Sequence, residues 1–318
     1  MENLPNDWDI IQKGLDASIL QSNVWADVQQ NLGRKAHFEW SNHWSWLGFE
    51  RKAHGIKYLF VPYGPTASVK AEEALDSIKA YATKHSYDFI RMEPMGNFTK
   101  AELSRAGAVK TLEIEPEHTQ VVDLKKNEED LRKDLKPNHR NLINGTQRRG
   151  IVVTQTTSDS DFKDFLLMLK DTAKNSKVKF YDDNYYENIW QTMQPRGNAK
   201  LYIAKVDNKA VSAALFYDYN GTRYYAHAGA FQQINRKVNA SISLLWQAIL
   251  DAKKLGMDKF DLWGVAPTGN PKHKWTGITS FKKGFGGEPV DYLGTYDIPI
   301  KKSKYKAYSI LQKIRGRR

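Results

Sequence analysis

Residues 224–297 constrain the fold most, because they spell a strand, a helix and a second strand in quick succession. The run YYAHAGA reads as a strand that ends on the small residues Ala226, Ala228, Gly229 and Ala230. After it Ser243, Leu244, Leu245, Trp246, Ala248, Ile249, Leu250 and Leu255 recur at helical spacing, with Gly256 placed to stop the helix. Residues 260–263 then predict a buried strand ending at Gly264, where a ligand can approach bare backbone. The segment FKKGFGGEPVDYLGTYD follows close behind.

The same alternation runs through the rest of the chain. Residues 10–35 predict a helix with a break near Ser22, and 38–63 alternates as strands of a sheet do. A helix over 68–85, with Leu75, Ile78 and Tyr81 on its apolar side, leads to a strand over 88–92 and a helix through Leu103 that stops at Gly107. A second round starts at His118, with a strand over 119–124, a helical region over 128–149 interrupted near Pro137, and a strand over 151–155. Helices over 159–175 and 185–193 precede three strands, 200–206, 210–219 and 223–228, joined by Asp-Asn and Asn-Gly turns. Mixed strands and helices of these lengths indicate an α/β protein, and 318 residues exceed one ordinary core, so two domains are expected.

Composition excludes several chemistries. The absence of cysteine rules out disulfides, thiol nucleophiles and cysteine-ligated metals. Metal-ligand, P-loop and dinucleotide motifs are missing, and FGG at 285–287 reads as a turn. The amino end, MENLPNDWDI, carries no signal-peptide core and no run approaches the roughly 20 apolar residues of a membrane span, so a cytoplasmic location is expected. Of the +12 net charge, two-thirds lies between Lys301 and Arg318, which hold eight Lys or Arg and no acid. That tail reads as a solvated segment, or as a helix with an apolar side (Tyr305, Tyr308, Ile310, Leu311, Ile314) that lies on an anionic surface at roughly 1 kcal/mol per basic residue, a contact with membrane or with RNA.

Four further segments join the one at 224–297: LQSNVW at 20–25, YGP at 63–65, IRMEP at 90–94, and VVDLKKNEEDLRKDLKPNHRNLINGTQRRGI at 121–151. In this order and spacing they resemble the Fem family of peptidoglycan interpeptide-bridge aminoacyltransferases, which move an amino acid from aminoacyl-tRNA to an amine on a cell-wall precursor. The resemblance covers nearly the whole chain. It implies two acetyltransferase-like (GNAT-type) domains in tandem, with mixed sheets flanked by helices: residues 1–117 plus 293–318, and residues 118–292. The chain has no room for the long helical hairpin of pentaglycine-forming members and is similar to the shorter ones. No metal or nucleotide cofactor is implied.

An aminoacyl ester is already activated, so such an enzyme mainly positions ester and amine and stabilises an oxyanion. The resemblance places Lys282, in FKKGF, near the reacting ester and the precursor's phosphates, as a fixed ammonium; spacing alone also fits a surface lysine beside Phe281. Glu93, before Pro94, and Asp261, in FDLWG, are acids at strand ends, suited to take a proton from the attacking ammonium or to cap a helix or pair with an arginine. Tyr185 matches a precursor-contacting tyrosine, while Tyr181 stands where relatives carry an arginine, with Lys177 and Lys179 as substitutes. His227 replaces a tyrosine, and Asp27 and Gln29 stand where a basic residue follows the Trp25 motif in relatives. The cleanly basic stretch with Lys136, Arg140, Arg148 and Arg149 suits tRNA phosphates, or a solvated helix face.

The partners the resemblance implies are aminoacyl-tRNA and a UDP-linked or lipid-linked precursor; the basic tail at 301–318 adds a peripheral contact with the anionic inner membrane surface as an expectation. Two rival readings stand beside this one. One is another N-acyltransferase of the same fold, acting on a protein amino terminus or from acyl-CoA, although no RxxGxG/A pyrophosphate signature is present. The other is a non-catalytic RNA- or membrane-binding protein.

Overall fold

A computed structural model describes residues 4–175, 180–270 and 272–315. The chain divides into two compact units, one comprising Met1–Glu117 and Tyr292–Arg318, the other His118–Asp291.

The first unit is built on an eight-stranded mixed sheet. Its order is Met95–Gly96, Thr66–Ala67, Trp44–Ala53, Ile56–Val61, Phe89–Met92, Tyr296–Pro299 and Val109–Lys110, with Ala36–Trp40 paired onto Trp44–Ala53. Ile56–Val61 and Phe89–Met92 run parallel, and Tyr296–Pro299 returns antiparallel beside Phe89–Met92. The crossover between the parallel strands is the helix Ala71–Lys84, whose Ala71, Ala74, Leu75, Ile78 and Ala82 recur at helical spacing and are buried. They pack with Trp46, Leu59, Val61, Ile90 and Met92, each large apolar side chain stabilising the core by about 1.5–3 kcal/mol. The predicted break at Ser22 is a helix start: its hydroxyl accepts the Trp25 N–H at 3.1 Å and opens Asn23–Asn31, separate from Trp8–Gly14.

The carboxyl-terminal helix, Lys302–Arg315, belongs to this unit. The sequence grouped Tyr305 and Tyr308 with a membrane-facing side, but both turn inward. Tyr308 is buried with Ile56 and Phe89, and the Tyr305 hydroxyl donates to Asp297 Oδ2 at 3.1 Å. Ile310 and Leu311 are the apolar side chains this helix leaves exposed among those described.

The second unit carries a seven-stranded sheet in the order Glu288–Asp291, His118–Asp123, Lys259–Gly264, Thr222–Ala230, Lys209–Tyr219, Ala199–Val206 and Ile151–Thr156. The two predicted two-residue turns close its hairpins, with Asp207, Asn208, Asn220 and Gly221 all at positive φ as such turns require. Thr222–Ala230 and Lys259–Gly264 are parallel neighbours joined through the helix Ala240–Lys254. Arg223 ties that helix to the sheet. Its guanidinium donates twice to Asp218 at 2.7 Å and once each to Tyr202 Oη and Ala248 O. Arg223 is fully buried and Asp218 nearly so, and losing Asp218 alone strands the guanidinium charge at a cost of about 3–5 kcal/mol. Three elements had no clear sequence signal: the helices Gln232–Val238 and Thr276–Lys282 and the edge strand Glu288–Asp291.

Candidate active site

The parallel pair at the centre of the second unit's sheet holds together over three registers only: Thr222 with Lys259, Arg223 with Phe260 and Tyr224 with Asp261. Beyond that point both strands carry a bulge against their outer neighbours. On one, Tyr225 and His227 oppose Phe216 and Leu215, leaving Ala226 extra. On the other, Asp261 and Gly264 oppose Val121 and Thr119, so two residues answer one. The strands therefore part, and Tyr225, Ala226, His227 and Ala228, which lie mid-sheet, remain partly accessible.

Lys282 reaches this wedge from the end of Thr276–Lys282. Its side chain is 5 % exposed, its Nζ donates to the Gly264 carbonyl at 2.7 Å, and the ammonium lies 5.7 Å from the centre of the Tyr225 ring. Burial pulls its pKa down to about 7, against an opposing pull from the Asp261 carboxylate. Gly284 lets the chain turn back at this point: a Cβ there would lie 2.2 Å from the His139 ring, which itself bonds the Phe281 carbonyl.

Asp261 is buried, and burial raises its pKa while its hydrogen bonds and the Lys282 charge lower it. Its Oδ1 accepts from the Thr119 hydroxyl and from the Trp263 N–H. Trp263 has φ +59°, in the left-handed region that costs a bulky residue about 1–3 kcal/mol. The sequence singled out Asp261 and Gly264 but not Thr119, Tyr225 or Trp263. Nothing in FDLWG announces an aromatic residue at positive φ.

Tyr181, Tyr185 and His227 come together in one aromatic cluster. Tyr181 is 60 % exposed and stacks on Tyr185 at 4.0 Å, and Tyr185 is held by Asp182, which caps its helix. His227 packs edge-on to Tyr186 at 5.0 Å and its Nε2 lies 3.0 Å from Tyr217 Oη. Burial drives its pKa down to about 4, so the ring is neutral at physiological pH and acts as a hydrogen-bonding group without charge. Lys177 and Lys179 lie outside the described residues.

Glu93 belongs to the first unit, where it ends the strand Phe89–Met92. It is buried and accepts from Tyr63 N–H at 3.2 Å, Glu115 N–H at 2.8 Å and the Thr295 hydroxyl at 2.9 Å. Burial pushes it up despite those bonds, and its charge helps to push Glu115 up as well.

The basic stretch divides by use. Arg140 donates to the carbonyls of Arg132, Lys133 and Leu135, capping Glu128–Asp134, and Arg149 donates to Leu142 O at 2.5 Å. Lys136 and Arg148 are exposed. Among the described residues no group of three His, Asp or Glu is placed to hold a metal ion, and no helix is long and apolar enough to cross a membrane.

Comparison with known proteins bears on the family and the fold. The chain is 28 % identical over 158 residues to the aminoacyltransferase FemA of Staphylococcus aureus (strain bovine RF122 / ET3-1), a match covering 49 % of this chain and 38 % of FemA. It thus spans about two-fifths of the length of the curated relatives it matches. Its fold is similar to the crystal structure of FemX, with a TM-score of 0.85 at 16 % identity over 96 % of this chain and 98 % of that one. A tandem GNAT protein from the clavulanic acid biosynthesis pathway superposes with a TM-score of 0.52 at 12 % identity over 92 % of this chain and 96 % of that one. The two mixed sheets with flanking helices are accordingly a tandem acetyltransferase-like fold. The FemAB family model matches residues 106–215 and 196–313, well over half of the sequence, and the chain belongs to the FemAB family.

Proposed function

We propose that this protein is an aminoacyl-tRNA-dependent aminoacyltransferase that adds one or more amino acids to the stem peptide of a peptidoglycan precursor, in the cytoplasm. The observation that carries the reading is the buried Lys282 amine set in the opening between two parted strands, in a chain of this family. An acceptor amine attacks the aminoacyl ester carbon, the C–N bond forms as the ester C–O bond breaks, and the tRNA ribose oxygen leaves, taking the proton the amine gives up. With its pKa pulled down to about 7, Lys282 can stand as ammonium near neutral pH, a charge placed for the developing oxyanion, and Asp261 favours that form. Water exclusion strengthens the interaction. No metal or nucleotide cofactor takes part in this scheme.

The aromatic cluster of Tyr181, Tyr185 and His227 offers ring faces and a neutral imidazole to the sugar and peptide of the precursor. Lys136 and Arg148 are the exposed cations of the basic stretch for tRNA phosphates. Lys302 and Lys306, exposed on the last helix beside Ile310 and Leu311, suit an anionic membrane surface.

The test is transfer of radiolabel from a pool of tRNA charged with mixed amino acids onto UDP-linked and lipid-linked precursors, side by side. Label on either supports the reading and names the acceptor. Label on neither, with tRNA bound, overturns it in favour of a transferase acting on protein amino termini or an RNA-binding protein.

A further inference from the structure

The bulge at Leu262–Trp263 decides where the Gly264 carbonyl points. Val121 and Thr119 are separated by one residue, while their partners Asp261 and Gly264 are separated by two. In a regular ladder Gln120 would face Leu262 and Thr119 would face Trp263. Because side chains and carbonyls alternate with a period of two, that one-residue slip would turn the Gly264 carbonyl away from Lys282. Something must therefore hold the extra residue in place, against the unfavourable positive φ of Trp263.

The fastening is visible. Asp261 Oδ1 accepts the Trp263 N–H at 2.7 Å, closing the turn from within the strand. The same oxygen accepts the Thr119 hydroxyl, which aims the carboxylate from the neighbouring strand. Thr119 is 1 % exposed and is also the register partner of Gly264, so it lies beside one end of the bulge while its side chain holds Asp261 at the other. Lys282 Nζ completes the chain of contacts at Gly264.

We infer that Thr119 is a positioning residue of the transfer site: through Asp261 it locks the Trp263 turn that sets the Gly264 carbonyl against the Lys282 amine. The inference rests on the reading above, in which Lys282 stands at the reacting centre. It assigns Asp261 a holding role, since a carboxylate oxygen already accepting two hydrogen bonds is fixed in place. It predicts that a hydroxyl is needed at position 119. Valine has the same shape but would leave the buried Asp261 oxygen one donor short, with the carboxylate free to rotate.

The experiment compares Thr119→Val and Thr119→Ser in the full chain, with Lys282→Ala as reference, measuring kcat and KM for charged tRNA and for the accepted precursor alongside circular dichroism and thermal melting. Loss of the lock misplaces Lys282 without removing a substrate contact, so kcat of Thr119→Val should fall about tenfold or more with both KM values within about twofold of wild type. Thr119→Ser, which keeps the hydroxyl, should recover most of the rate. If Thr119→Val does not fold, Thr119→Ala, which also removes the hydroxyl, takes its place and should show the same kcat-selective loss. A wild-type kcat in Thr119→Val, beside a crippled Lys282→Ala, overturns the positioning role and leaves the function reading standing. A wild-type rate in Lys282→Ala overturns the placement of Lys282, and this inference with it.

Discussion

Each unit has one parallel strand pair at the middle of its sheet, and the two pairs end differently. In the first unit Ile56–Val61 and Phe89–Met92 stay paired through Val61 and Met92, and the space beyond is filled by Glu93, with donors from Tyr63, Glu115 and Thr295. In the second unit the pairing stops after Tyr224 and Asp261, both strands bulge, and partly accessible residues line the gap. An acid stands near the end of each pair. In one it seals the sheet; in the other it props the sheet open. The architecture that supplies a cleft is thus used once and closed once, and local hydrogen bonding, rather than strand order, makes the difference.

The comparison breaks most directly at the two ends. Lys282→Ala is expected to lower kcat by about a hundredfold or more, as loss of a group aimed at developing charge does. Glu93→Gln should keep kcat within a few-fold while lowering stability by about 1–3 kcal/mol, because an amide cannot accept all three donors. Steady-state kinetics and melting of the two variants check this. An equal kcat loss in both, with Glu93→Gln folded, removes the distinction between sealed and open pairs.

Stability against pH separates the same residues by sign. Lys282 titrates near 7 when folded and near 10.5 when unfolded, so between those values the unfolded chain holds more protons and stability rises with pH by up to about 1.4 kcal/mol per unit. Glu93 and Glu115 are raised above 4.5, so their contribution is present below that value and lost as pH rises through their folded pKa. Denaturant titrations from pH 4 to pH 10 should show Lys282→Met abolishing the alkaline slope alone. A slope that survives in Lys282→Met means the amine is solvated when folded.

Much of the frame was legible because it depends on periodicity and turn chemistry. Ala71–Lys84 and Ala240–Lys254 repeat apolar residues at helical spacing, and the Asn-Gly turn after Tyr219 needs positive φ. The site was legible only as residue types. Asp261 was visible as an acid in a strand, but its partner Thr119 lies 142 positions away and pairs through a register shift that no local pattern encodes. Arg140 and Arg149 read as surface cations because sequence shows charge and not where a guanidinium turns, and both turn inward to backbone carbonyls. Tyr305 and Tyr308 were grouped by helical spacing on an apolar side, which fixes a side without saying what covers it.

His227 gives a smaller effect and sharpens the account of the open pair. With its pKa near 4 it stays neutral from about pH 5 upward, so its contribution to precursor affinity should not change between pH 5.5 and 8, unlike that of a histidine with an ordinary pKa near 6.5. His227→Phe should raise KM for the precursor several-fold with little change in kcat, the pattern of a uniform binding contact. A KM that climbs between pH 6 and 7 in the wild type but not in His227→Phe would make the ring a cation there and move phosphate recognition onto it.

The basic stretch carries the weakest effect, one that depends on salt. Each phosphate contact adds about 0.7–0.9 to the slope of log affinity against log salt, so Lys136→Ala with Arg148→Ala should flatten the slope for tRNA by between one and two and weaken binding most at low salt. Arg140→Ala and Arg149→Ala remove bonds to internal carbonyls, so they should lower the melting temperature by several degrees and leave the salt slope alone. Filter binding of uncharged tRNA at stepped ionic strength separates the two pairs. A slope lost with Arg140 or Arg149 in folded protein would mean those guanidiniums turn outward when RNA arrives, and the division drawn from their carbonyl contacts would hold only for the unbound chain.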